Sequence, residues 1–200
     1  RGTAEIADHL DLNYAYVALS VHPQSDRNFG NAVLAPWPLG DVEVVPLPHR
    51  AAVQGQPRAA LAVTVGHPGA EVRAISVHTE TPVLSHRKRL RQFVTLGELA
   101  DRWRHLPVLL GGDCNTASSR SLSAIDGELA RHGLDRASRG VGPTLRRARR
   151  RFELDHLYVA GLTVQRAGRV EDHGASDHDA VWAELSPKGP VSDGTTGAPG

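Results

Sequence analysis

The sequence has one cysteine and no methionine in 200 residues. A lone thiol, Cys114, excludes an internal disulfide framework. Aromatic residues make up only 4% of the chain, so any core has to be assembled from Val, Leu, Ile and Ala. A hydrophobic share of 40% is still enough for one core in a domain of ordinary size. Neither sign of charge is in excess: 23 Lys and Arg against 22 Asp and Glu leave a net +1, which removes a global field as the basis for binding nucleic acid or membrane. No apolar run approaches the length of a bilayer span, and no signal peptide is visible. A chain that starts at Arg1 without any methionine is expected to lack its native N-terminus. Its cellular location stays open, with the cytoplasm slightly favoured.

The patterning alternates strands with helices. "TAEIADHL" reads as a short helix capped by Thr3, with Ile6 and Leu10 on one side. "YAYVALSVH", "NAVLAPWPL" and "VEVVPLP" read as strands punctuated by Pro, Gly and Asp. "RAALAVTVG" and "EVRAISVH" are joined by "HPGA", short enough for a hairpin. From His86 to Arg104, Leu90, Phe93, Leu96, Ala100 and Trp103 recur at helical spacing, and Pro107 separates this helix from the buried strand "VLLGG". Ser118 is placed to cap a second helix running through Ile125 and Leu129 to Gly133. "RFELDHLYVAG" and "AVWAEL" are the last two strands expected. Residues 1–186 form the expected domain, and 187–200, rich in Pro, Gly, Ser and Thr, read as a disordered tail. Hairpins mixed with strand-helix-strand units imply an α/β or α+β layered sandwich.

Several polar residues lie at strand borders: His78 after a strand in "ISVHTE", Asp113 and Asn115 after one in "GGDCNT", Asp155 and His156 inside one in "FELDHLYV", and Asp177 and His178 just before one in "GASDHDAVWAEL". Strand ends in layered folds gather along one edge, where loops hold functional groups on a rigid frame. Acids, an amide and histidines converging there suit phosphoryl transfer. Hydrolysis of an anionic phosphodiester needs charge neutralisation, usually by a metal on hard oxygen ligands, with a base for water and an acid for the leaving oxygen.

"GGDCNT" resembles the Gly-Asp-x-Asn motif, and "SDHDAVWAEL" the Ser-Asp-His motif, of the endonuclease/exonuclease/phosphatase family with its deoxyribonuclease I-like fold. "GNAVLAPWPL", "ISVHTE" and "FELDHLYV" are similar to that family's other strand motifs, in the same order. The resemblance implies a four-layer sandwich of two mixed β-sheets flanked by helices, incomplete at the N-terminus, and divalent-metal-dependent hydrolysis of phosphoester bonds. It implies that His178 is general base or transition-state stabiliser, oriented by Asp155. Asp113 positions or deprotonates water, Asn115 holds the water or a phosphate oxygen, and His78 binds phosphate or protonates the leaving group. Asp177 contributes to a site for Mg2+, or Mn2+, and Asn31 belongs with the substrate-binding residues as a brace from a neighbouring strand. The family's metal-binding glutamate has no match here, since Glu5 falls inside a helix. Cys114 replaces a bulkier apolar residue, and "ISVHTE" stands where Asn-Thr-His is more familiar.

Arg146 and Arg147, in "RRARRR", are the one cluster able to meet a polyanion; the run reads equally well as a solvated loop. Asp113 with Asn115 alone would be an Asx turn, and Asp177 with His178 alone a cap. The expected partner is a phosphoester substrate: nucleic acid, phospholipid headgroup or small phosphodiester, handled by a monomer. A degenerate, non-catalytic relative binding a phosphorylated partner stays open as an alternative, as does a basic nucleic-acid-binding module, although nothing groove-reading supports the latter.

Overall fold

The run Ala59–Val65 is buried at all seven positions, the signature of a strand covered on both faces. In a computed structural model of the chain, residues 2–21, 28–50, 57–116, 118–147, 150–171, 174 and 176–188 are described. Their elements in chain order are α1 (Gly2–Leu10), β1 (Asn13–Val21), β2 (Asn28–Ala35), β3 (Leu39–Pro46), β4 (Ala59–Val65), β5 (Val72–His78), α2 (His86–Arg102), β6 (Val108–Asp113), α3 (Ser119–Ala130), β7 (Asp135–Arg136), β8 (Leu145–Arg147), β9 (Arg150–Phe152), β10 (Asp155–Ala160), β11 (Leu162–Val170) and β12 (Ala180–Pro187).

Six strands form one mixed sheet in the order β3-β4-β5-β6-β10-β7. β4 and β5 are the expected antiparallel hairpin. β5 and β6 run parallel, and α2 supplies the crossover that a parallel pair requires. Strand alternation sends Ile75, Val77, Val108 and Leu110 to one face, where they meet Phe93, Leu96 and Leu99 of α2 and Ile125 and Leu129 of α3. Fully burying a side chain of this size contributes roughly 1.5–3 kcal/mol, so this helix-covered face supplies much of the stability. The opposite face is covered at one end by the antiparallel pair β1-β2, through Ala15, Val17, Val33 and Ala35 against Leu61 and Val63. At the other end Leu162, Ala183 and Leu185, from the β11-β12 pair, pack with Leu109, Leu157 and Val159 of the sheet. The fold is therefore the expected layered α/β arrangement. Among the described residues the second β layer consists of two separate antiparallel pairs rather than one continuous sheet.

Local departures from the sequence reading have physical causes. Thr3 lies inside α1 and does not cap it, and Ile6 and Leu10 are 53% and 58% exposed because the helix buries its small Ala7 instead. The segment after Gly161 is a strand, β11, hidden from pattern reading because Gln165, Arg166 and Arg169 break its apolar alternation. "RFELDHLYVAG" divides into β9 and β10. Ser118 caps α3 as expected, its side chain accepting from the Ser121 amide. Pro187 ends β12, and Lys188 donates its amide to the Gly161 carbonyl. The remainder of the expected tail, 189–200, lies outside the described residues.

Gly112 fixes the approach of β6 to β5. Its φ is +144°, and a Cβ built there would stand 1.8 Å from the Val77 carbonyl oxygen. Gly112→Ala should destabilise the fold by at least about 1–3 kcal/mol, measured by urea unfolding, because the contact is with backbone that cannot rotate away.

Candidate active site

Three sequence-predicted residues stand in one line across the sheet. β5 and β6 place His78 opposite Asp113, and β6 and β10 place Asp155 opposite Asp113. His78 Nε2 lies 3.4 Å from Asp113 Oδ2. His178 arrives from the loop before β12, bridges to Leu145 of β8, and brings its Nδ1 to 2.7 Å from Asp155 Oδ2. That hydrogen bond assigns the proton to Nδ1 and leaves Nε2 with a free lone pair in the neutral ring.

Thr144 meets the same Asp155 oxygen that His178 does. Its hydroxyl donates to Asp155 Oδ2 at 2.5 Å and accepts from the amides of Leu154 and Asp155, each at 3.1 Å. Thr144 is buried, so the carboxylate that orients His178 is itself held in place. No sequence signal marked Thr144; its place depends on the β8-β9 hairpin, which brings the start of β10 back beside it.

The turn after β6 is an Asx turn as well as part of the site. The Asn115 amide donates to Asp113 Oδ1 at 2.9 Å, with Asn115 in the left-handed region at φ 49° that Asn tolerates. The Asn115 side chain donates to the Thr79 carbonyl at 3.0 Å. Beneath the turn, Arg89 of α2 donates to the Asn115 carbonyl at 2.5 Å and approaches that of Cys114 at 3.4 Å. Cys114 is fully buried, and burial pushes its thiol above the ordinary range, as expected of a small core residue and not of a nucleophile.

Arg58 and Glu80 were not singled out in the sequence. Both are buried and lie 3.5 Å apart, with Arg58 against the Phe29 ring and Phe29 edge-on to His78. The available signal was Arg58 itself, a charge at the mouth of a wholly apolar run. Burial, then the Arg58 charge, then His178 push His78 down to about 4. Burial and the Asp155 charge raise Asp113 to about 6, against the Asn115 hydrogen bond and the His178 and Arg58 charges. Burial lowers His178, but its hydrogen bond to Asp155 and the charges of Asp155, Asp113 and Asp177 outweigh this, and its pKa ends raised.

The remaining sequence candidates are dispersed. Asn31 is buried in β2 and donates to the Ala59 carbonyl at 2.6 Å, tying β2 to β4 beside Arg58. Asp177 is exposed. Arg146 is exposed and ion-paired with Glu171, and the Arg147 side chain lies outside the described residues. His156 is buried, its Nε2 2.7 Å from the Thr116 hydroxyl. Among the described residues no group of three or more His, Cys, Asp and Glu side chains is placed to hold a metal ion. Asp113 has one oxygen on the Asn115 amide and the other facing His78, so these strand ends alone do not complete a divalent-ion cage.

Fold and strand-end cluster together define a layered α/β protein with a polar centre at one sheet edge. The chain belongs to the endonuclease/exonuclease/phosphatase family, whose profile matches residues 3–178. Its structure is similar to an endonuclease/exonuclease/phosphatase from Beutenbergia cavernae, at TM-score 0.76 and 23% identity over 93% of this chain and 57% of that one. The chain thus spans little more than half the length of that relative. It is also similar to the human Nocturnin catalytic domain with bound sulfate, at TM-score 0.72 and 16% identity over 93% of this chain and 76% of that one. A mannosyl-6-phosphatase from Bacteroides thetaiotaomicron aligns at TM-score 0.63 and 15% identity, over 92% and 89% of the two chains. No curated protein matches the sequence.

His78 and His156 both titrate near 4 in the folded chain against an ordinary 6.5. Between those values the unfolded chain binds protons that the folded chain refuses, so stability should fall as pH drops from 6.5 to 4. Each histidine contributes up to about 1.4 kcal/mol per pH unit. Asp113 opposes them, since its raised pKa of about 6 lets the folded chain take up a proton first. Urea unfolding across this window should show a net loss of stability toward acid, and a flatter dependence in His156→Gln.

Proposed function

We propose that the chain is the site-bearing part of a phosphoester hydrolase in which water is activated by the His178–Asp155 pair. The observation that carries this is the 2.7 Å hydrogen bond from His178 Nδ1 to Asp155, with Asp113 aligned to Asp155 across the sheet. Family membership and the similarity to a phosphatase and to Nocturnin support the reaction class. In this reading His178 Nε2 takes a proton from water as the water oxygen attacks phosphorus and the P–O bond to the leaving oxygen breaks. Asp155 stabilises the imidazolium that forms, and the departing oxyanion takes its proton from solvent while the imidazolium gives its own back to solvent. Asp113 and Asn115 position the water. His78 is neutral at pH 7, which suits hydrogen bonding to a phosphate oxygen better than donating a proton to the leaving group.

A requirement for Mg2+, or Mn2+, belongs to the proposal, with Asp177 as a contributing ligand. The described oxygen donors do not make a complete site. The second reading is a family member that binds a phosphorylated partner without hydrolysing it. The substrate is a phosphoester acted on by a monomer; Arg146, Arg147 and Asn31 are assigned to its surroundings as supports.

With bis(p-nitrophenyl) phosphate, His178→Ala should lower kcat/KM on the order of a hundredfold or more. EDTA should abolish turnover, and Mg2+ or Mn2+ should restore it. The rate should rise with pH through an apparent pKa above the ordinary histidine value of 6.5, because the base must be neutral, and Asp155→Asn should move that limb downward. Turnover unaffected by His178→Ala sinks the mechanism, turnover unaffected by EDTA removes the metal, and phosphoester binding without turnover selects the second reading.

A further inference from the structure

β6 and β10 stay paired up to Asp113 opposite Asp155, and one more backbone bond follows, from the Cys114 amide to the Leu154 carbonyl at 2.8 Å. The chain then turns at Asn115, whose φ is 49°. Past that point a side chain continues the link: the Thr116 hydroxyl lies 2.5 Å from the Glu153 carbonyl oxygen. His156 reaches the same hydroxyl with Nε2 at 2.7 Å. Neither His156 nor Thr116 takes part in the water-activating scheme, yet both are buried, and each adjoins a site residue, Asp155 and Asn115 respectively.

The protons of this group follow from its chemistry. Two oxygens 2.5 Å apart need a hydrogen between them and a carbonyl has none, so the Thr116 hydroxyl donates to Glu153. That uses its one hydrogen. Thr116 therefore accepts from His156, whose imidazole carries its proton on Nε2. The Ser138 hydroxyl accepts from the Leu157 amide at 3.1 Å, which leaves its own hydrogen to turn toward His156 Nδ1 at 3.5 Å. Burial, with the Arg136 charge, pushes His156 down to about 4, so the ring is neutral at pH 7 as this pattern requires. Ser138, His156, Thr116 and the Glu153 carbonyl form one series in which each member donates to the next.

Strand alternation turns Asp155 and His156 to opposite faces of the sheet, and His156 lies on the side of Tyr158, in the helix-covered core. From there the series ties the residue after Asn115 to the segment that leads into Asp155. We propose that His156, acting through the Thr116 hydroxyl, is a positioning residue that sets the spacing between the Asp113–Asn115 turn and Asp155. Displacing either end moves the groups that hold water relative to the His178–Asp155 pair, and a misplacement of about 1 Å can cost on the order of a hundredfold in rate. The consequence for turnover rests on the hydrolase reading above; the positioning itself does not.

The first test is long-range proton–nitrogen NMR of the His156 ring at pH 7 in the unaltered chain. A proton on Nε2 and a lone pair on Nδ1 are expected, and the opposite tautomer overturns the proposal. The second is amide exchange in Thr116→Val, which keeps the shape and removes the hydroxyl. The Cys114 and Asn115 amides should exchange about tenfold faster while those of β4 keep their protection, and Thr116→Ser should restore both. Acceleration spread evenly over the chain, or none at these two amides, makes Thr116 an ordinary core residue and overturns the proposal. With bis(p-nitrophenyl) phosphate, Thr116→Val and His156→Leu should each lower kcat by at least about tenfold with KM within about twofold, and the double variant should be no worse than either. Additive losses, or an equal loss in Thr116→Ser, overturn the coupling. If His156→Leu does not fold, the two Thr116 variants decide. A chain that hydrolyses no phosphoester fails the hydrolase reading instead, and amide exchange still decides the positioning.

Discussion

The hydrogen-bond register of β5, β6 and β10 is the constraint on which the site depends. Because β6 pairs parallel to β5 and antiparallel to β10, His78, Asp113 and Asp155 fall on one row although 35 and 42 residues separate neighbours in that row. A slip of one residue in either pairing would turn the affected side chains to the other face of the sheet. Gly112 enforces the tight approach of β6 to β5, and Gly111 beside it leaves room for the Leu157 side chain on β10. The two glycines therefore shape the sheet as much as they shape the turn that follows.

That row brings titratable groups into partial burial, and burial acts on each according to its charge. It disfavours the cationic form of His78 and the anionic form of Asp113. His178 moves the other way because its hydrogen bond to Asp155 and the charges of three carboxylates outweigh burial, whereas at His78 burial dominates and the Arg58 charge adds to it. Two histidines in one small centre are thus driven apart in basicity by their neighbours, a division suited to distinct tasks within one reaction.

The turn bearing Asp113 and Asn115 is held from two directions. From the sheet side, the Thr79 amide donates to the Asp113 carbonyl and the Cys114 amide to Leu154. From the helix side, Arg89 takes the Asn115 and Cys114 carbonyls. Rigid support of this kind is what lets a loop carry groups with defined spacing, and it makes the start of α2 part of the site's framework.

Periodicity in the sequence was enough to place α2, α3, the β4-β5 hairpin and β6, because each carries a long or regular apolar pattern whose period is set locally by the backbone. The strand-border positions of His78, Asp113, Asp155 and His178 were legible for the same reason, since a polar residue bordering an apolar run stands out whatever lies beyond it. The strand β11 was not, because arginines and glutamine on its solvent side erase the alternation, and neither was the burial of Ala7 in place of Ile6 and Leu10. Tertiary structure alone decided that Thr144 holds Asp155, that Arg58 sits beside His78, and that His156 meets the Thr116 hydroxyl. These are contacts between segments distant in the chain. Their geometry depends on strand order, register and crossover, which no local pattern encodes.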